Sequence, residues 1–127
     1  MTIKVIVKGK VQGIALVAKN PMNFLGAVDK KTGKIRDEKH DLFGKSLAEK
    51  ILVFPYGVGS SVGAYTIYSI KSNKCAPQAM ICLKADLTTA SGCALANIPL
   101  VVASKDEYDS IKNGAKIILD AENGKIL

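Results

Sequence analysis

Residues 51–100 carry only four charged side chains, Lys71, Lys74, Lys84 and Asp86, and that charge-poor stretch constrains the fold more than any other feature. A segment so poor in charge and so rich in Gly, Ser and Ala is either core or a surface covered by something else. Short apolar runs punctuate it. Ile51–Phe54 reads as a strand buried on both faces and closed by Pro55, and further strands are expected at 79–84 and 99–103. Between them Val62, Tyr65, Ile67, Tyr68 and Ile70 recur at spacings that suit a helix packed on a sheet. The alternation predicts β/α units, with more helices at about 87–97 and 105–113. Asn123-Gly124 is a strong hairpin signal joining 115–120 to 125–127.

The N-terminal third reads differently. Ile3, Val5 and Val7 alternate with polar residues over Thr2–Lys8, as in a half-buried strand. A turn at Val11–Gly13 is expected to lead into a second strand, Ile14–Ala18, stopped by Asn20-Pro21. Residues 23–29 read as an irregular connection, and the charged 30–41 segment as a solvated loop with a turn at 31–34. The expected fold class is α/β in three layers, with helices on one side of the sheets and a single domain over residues 1–127. A 48% hydrophobic composition and a mean hydropathy of +0.18 exclude a disordered basic tail. No apolar run approaches the roughly 20 residues that span a bilayer, so a cytoplasmic location and no membrane partner are expected.

The net charge is +7, and eleven of the eighteen basic residues lie in the first fifty positions. Its simplest account is a lysine-rich solvated surface; the alternative is a basic module that holds RNA or an acidic protein. Arg36 is the sole arginine and there is no Trp, whereas sequence readers of DNA use bidentate Arg and single-strand binders use aromatic platforms. No nucleic-acid partner is expected. Cys75, Cys82 and Cys93 are odd in number and have no C-x-x-C spacing, which does not fit a disulfide or metal framework, and Cys82 in an apolar run and Cys93 among small residues read as small buried hydrophobes.

One segment looks arranged for a ligand: Gly57-Val58-Gly59-Ser60-Ser61-Val62-Gly63. Glycines admit close backbone approach, and the free N–H groups of a first helical turn favour an anion. The segment lacks the Lys of a Walker A loop and the spacing of G-x-G-x-x-G, so nucleotide binding is not supported. Two readings of the serines stand. Ser can simply cap the helix, or its hydroxyl can act as a base if the alkoxide is strongly stabilised.

Three separated segments, NPMNFLGAVDKKTGKI (20–35), ILVFPYGVGSSVGAYTIYSI (51–70) and ADLTTASGCALANIPLVV (85–102), resemble in order the small swivelling domain of aconitase X family enzymes. The resemblance runs from about Gly9 to the end of the chain. It implies a swivelling-domain type β/β/α three-layer fold and a single aconitase X swivel domain over 1–127. It also implies a hydro-lyase split over two chains as a heterodimer, with a 4Fe-4S cluster held by the large catalytic subunit through its own cysteines and none bound by this chain. In the aconitases proper the matching motif is Gly-Ser-Ser-Arg, with its first serine as base. Carried over, the proton acceptor is Ser60, with Ser61 as alternate, and Gly59, Ser61, Val62 and Gly63 as substrate binders. Val62 stands where the motif has Arg, so a monocarboxylate carrying a phosphate or amine is expected in place of a second carboxylate. The substrate implied is a phosphorylated hydroxy acid, (R)-5-phosphomevalonate, dehydrated to trans-anhydromevalonate 5-phosphate in an archaeal mevalonate route to isoprenoid precursors. The alternative within the family is a hydroxyproline dehydratase. Lys19, Lys45 and Lys71 are unranked candidates for the phosphate.

Overall fold

A computed structural model describes residues 3–127; Thr2, the first residue of the first expected strand, lies outside them. Seven strands and four helices follow in the order β1 Lys4–Val7, β2 Lys10–Val17, α1 Phe24–Ala27, β3 Lys50–Phe54, α2 Gly63–Ser72, β4 Ala79–Cys82, α3 Leu87–Ala96, β5 Leu100–Val102, α4 Lys105–Ser110, β6 Lys116–Asp120 and β7 Lys125–Ile126. The strands form one sheet in the order β1-β5-β4-β3-β2-β6-β7. The four central strands, β2 to β5, run parallel, and β1, β6 and β7 join them antiparallel.

The continuous apolar runs are central because both faces of those strands are buried. Leu52, Phe54, Met80, Cys82 and Leu100 point into a core shared with Phe24, Ile67, Ile70 and Cys93 of α1 to α3. Their neighbours Ile51, Val53, Ala79, Ile81 and Val101 face the opposite way, into a second core with Ile117 and Leu119 of β6 and flanking Val5 and Ile126. The sheet therefore curls until its edges approach one another. A Cβ on Gly124, in the β6–β7 turn, would stand 3.3 Å from the Ile3 carbonyl oxygen. Helices, parallel strands and curled-over strands make the three layers expected of a β/β/α fold.

Several local expectations need correction. There is no turn at Val11–Gly13: β2 is continuous from Lys10, because Lys10–Ile14 pairs with β6 in the register Lys10↔Asp120 to Ile14↔Lys116. Residues 24–27 form the short helix α1, whose N-cap Asn23 accepts the Gly26 N–H at 2.9 Å. Helix α4 ends at Ser110, before the expected 113, where Ile111 turns to extended backbone and buries its side chain in the second core. Tyr108 packs there too, so the helices are not all on one side. Within the 30–41 segment Ile35 and His40 are buried; the His40 ring lies between the Pro21 carbonyl at 3.1 Å and the Leu42 N–H at 3.0 Å.

Candidate active site

The serine loop leaves the C-terminal end of β3 and enters α2, the edge of a parallel sheet where ligands are bound in α/β folds. Three neighbours fix its path. Met22 donates its N–H to the Tyr56 carbonyl and accepts the Val58 N–H, both at 3.0 Å. Asp86 accepts the Gly57 N–H at 2.9 Å with one carboxylate oxygen and the Thr89 N–H at 3.1 Å with the other, so one side chain holds the loop and caps α3. Asn23, the cap of α1, packs its amide against Gly59.

Two glycines are required by this packing. A Cβ on Gly57 would lie 2.5 Å from Thr89 Oγ1 and 2.6 Å from an Asp86 carboxylate oxygen, and one on Gly59 would lie 2.6 Å from Asn23 Oδ1. Gly59 also has φ +96°, a left-handed conformation. The start of α2 is packed less tightly, with Thr88 Cγ2 3.2 Å and the Leu25 amide nitrogen 3.5 Å from where a Gly63 Cβ would be. The N-termini of α1, α2 and α3 thus gather around one loop.

Ser60 and Ser61 are both exposed. Ser60 Oγ accepts the Val62 N–H at 3.1 Å and its carbonyl accepts the Gly63 N–H at 2.9 Å, while the Ser61 carbonyl accepts the Ala64 N–H at 3.2 Å. The capping reading is therefore correct in kind: Ser60 caps the turn that precedes α2. The helix's own N-cap, Val62, makes no side-chain bond, and no acidic residue sits in the first turn to offset the positive end of the helix dipole. Among the described residues the N–H groups of Gly59, Ser60 and Ser61 find no acceptor. Val62 and Gly63, by contrast, already spend their N–H groups on Ser60. A donated bond to Ser60 Oγ favours its charged form over the neutral hydroxyl.

Around this loop the rim is apolar. Tyr56, Val58, Val62, Tyr65, Tyr68 and Leu87 are all exposed, Tyr65 at 68% and Leu87 at 82%. The charge-poor stretch thus divides into buried strands and an uncovered apolar margin.

The cysteines lie elsewhere and are buried. Burial pushes the Cys82 thiol up to about 12 and raises Cys93 further; Cys82 Sγ donates to the Val101 carbonyl and Cys93 Sγ to Met80 Sδ. Among the described residues no group of three or more His, Cys, Asp or Glu side chains is placed to hold a metal ion.

The basic candidates separate. Lys19 and Lys45 line one pocket with Asp41, and Lys71 lines another beside Lys74 and Pro77. Lys30, Lys31 and Arg36, none singled out from the sequence for this role, line a cavity with Leu25 and Thr66. The sequence reading also passed over Asn23 and Asp86, although Asn or Asp before a helical run is an N-cap signal.

Comparison with known proteins agrees with this architecture. The aconitase X swivel domain profile matches residues 1–127. The phosphomevalonate dehydratase small subunit of Methanosarcina mazei is 41% identical over 124 residues, covering 97% of this chain and 86% of its own. That of Thermococcus kodakarensis is 42% identical over 121 residues, covering 95% and 90%. The crystal structure of Thermococcus kodakaraensis aconitase X in its holo-form superposes with a TM-score of 0.93 at 41% identity, covering 97% of this chain and 92% of that one. The solution NMR structure of a UPF0107 protein gives 0.90 at 38% identity, covering 100% and 96%. On its sequence and its fold alike, this chain belongs to the aconitase X swivel domain family.

Proposed function

We propose that this chain is the small subunit of a phosphomevalonate dehydratase, a hydro-lyase assembled with a large subunit, and that it forms one swivel domain over residues 1–127. It removes water from (R)-5-phosphomevalonate to give trans-anhydromevalonate 5-phosphate. The observation that carries this reading is the exposed Ser60 at the open N-terminus of α2, beside three unpaired backbone N–H groups, in a chain similar over nearly its full length to proteins of that name. Ser60 Oγ takes the proton from the carbon next to the carboxylate, and the N–H groups of Gly59, Ser60 and Ser61 hold the carboxylate as negative charge builds on it. Ser61 is the alternate base; Val62 and Gly63 border the substrate.

The buried cysteines here are not placed with other side chains as a set of cluster ligands, so we assign the 4Fe-4S cluster to the large subunit's own cysteines and leave departure of the hydroxyl to groups on that chain. The apolar rim from Tyr56 to Leu87 is the surface proposed to face the large subunit. Among the described residues no helix is long and apolar enough to cross a membrane. The relatives' names favour phosphomevalonate over the hydroxyproline alternative.

The test is anaerobic reconstitution with the large subunit. Ser60→Ala is expected to lower kcat by about 100-fold or more, the usual worth of a positioned base, with a smaller loss for Ser61→Ala. Normal turnover by the Ser60→Ala complex would overturn the assignment.

A further inference from the structure

We propose that the cavity between α1, α2 and the 28–36 hairpin is a second anion subsite, which holds the phosphate monoester of the substrate while its carboxylate end lies at Ser60. The inference rests on the phosphorylated-substrate reading above. The cavity has a volume of about 320 Å³ and is lined by Leu25, Asp29, Lys30, Lys31, Arg36 and Thr66 among others. The hairpin gathers the cations: Val28 bridges Ile35, and the Arg36 N–H donates to the Ala27 carbonyl at 2.7 Å. That folds the sole arginine of the chain back beside Lys30 and Lys31.

The charge suits a phosphate. Three cations against one carboxylate leave an excess of two positive charges, close to the charge of a phosphate monoester at neutral pH. The carboxylate is partly spent, since one Asp29 oxygen accepts the Lys31 N–H at 2.8 Å. Among the described residues none of the three cations is in an ion pair. Arg36 offers a planar fork of donors, the geometry that matches phosphate oxygens.

Position favours this cavity over the other two. Thr66 lies three residues after Gly63, about 4.5 Å along the helix axis. Leu25, on the opposite wall, has its amide nitrogen 3.5 Å from the Cβ position of Gly63. The cavity therefore begins about one helical turn from the serine loop. In 5-phosphomevalonate the carbon that loses the proton and the phosphorus are five bonds apart, about 6 Å, the same order as the rise from Gly63 to Thr66. Lys71 sits eight residues past Gly63, about 12 Å along α2, beyond that reach. Lys19 and Lys45 share their pocket with Asp41, which halves its positive charge.

The test uses the two-subunit complex in two measurements. In calorimetric titration with inorganic phosphate, which needs no turnover, Arg36→Gln is expected to weaken binding by about tenfold or more, while Lys71→Gln leaves it unchanged. In steady-state assays with 5-phosphomevalonate, Arg36→Gln is expected to raise KM by a similar factor and leave kcat close to that of the parent. Dehydration with KM and phosphate affinity both unaffected by Arg36→Gln overturns the subsite and leaves the function standing. Arg36-dependent phosphate binding in a complex that does not dehydrate 5-phosphomevalonate upholds the subsite and overturns the substrate reading.

Discussion

Ser60 has one observed duty and one proposed duty, and both use the same oxygen. It caps the turn before α2 by accepting the Val62 N–H, and in the proposed mechanism it also accepts a proton from the substrate. The base form is the alkoxide, whose oxygen has three lone pairs, so it can keep the Val62 N–H bond while it takes the substrate proton and returns to the hydroxyl. The glycine-serine loop at a helix start was legible from the glycines and the helical spacing that follows them; the base role given to Ser60 came from the family resemblance. Asn23 and Asp86 were not legible, since their role is to hold a loop 36 and 29 residues away and nothing local marks such a contact. The tightness of that packing gives a prediction at this scale. Gly57→Ala drives a methyl into Thr89 and Asp86, so urea denaturation should show a loss of about 1–3 kcal/mol, with activity falling as the loop shifts.

At the scale of elements, the β/α alternation was readable because each run carried its own period. The boundaries that moved were those set by a distant partner. β2 reaches back to Lys10 only because β6 supplies its ladder, and α4 stops early because Ile111 gains more by entering the second core than by another helical turn. The β6–β7 turn was foreseen from Asn123-Gly124, and Asp120 holds it together. The Asn123 side-chain amide and then the N–H groups of Asn123 and Glu122 bond to its carboxylate and keep its pKa below the usual 3.8. A carboxyl depressed in the folded state adds stability above its unfolded pKa, and that contribution is lost as pH falls through the folded value. Asp120→Asn should therefore denature at lower urea than the parent at pH 6, with the gap closing below pH about 4. A gap that is constant with pH would show that the carboxylate charge is not involved.

At the scale of the whole molecule, the net charge of +7 is unevenly placed. Three of its cations line one cavity, and the charge-poor middle of the chain forms the apolar rim around the serines. That rim predicts how the chain assembles. Tyr65→Asp with Leu87→Asp, both at exposed positions, should leave the isolated chain folded by circular dichroism yet abolish its co-elution with the large subunit on gel filtration. Co-elution at parent levels would mean that the large subunit sits elsewhere. By itself the sequence determined the alternation of strands and helices, the glycine-serine loop at a helix start and the burial of the cysteines, because each depends on spacing between near neighbours. Only the tertiary structure decided that the sheet curls edge to edge, that Asn23 and Asp86 grip the loop, and that Arg36 joins Lys30, Lys31 and Thr66 one turn from Gly63. Those juxtapositions are made by the path of the backbone between elements, and no local pattern of residues encodes where two distant segments will meet.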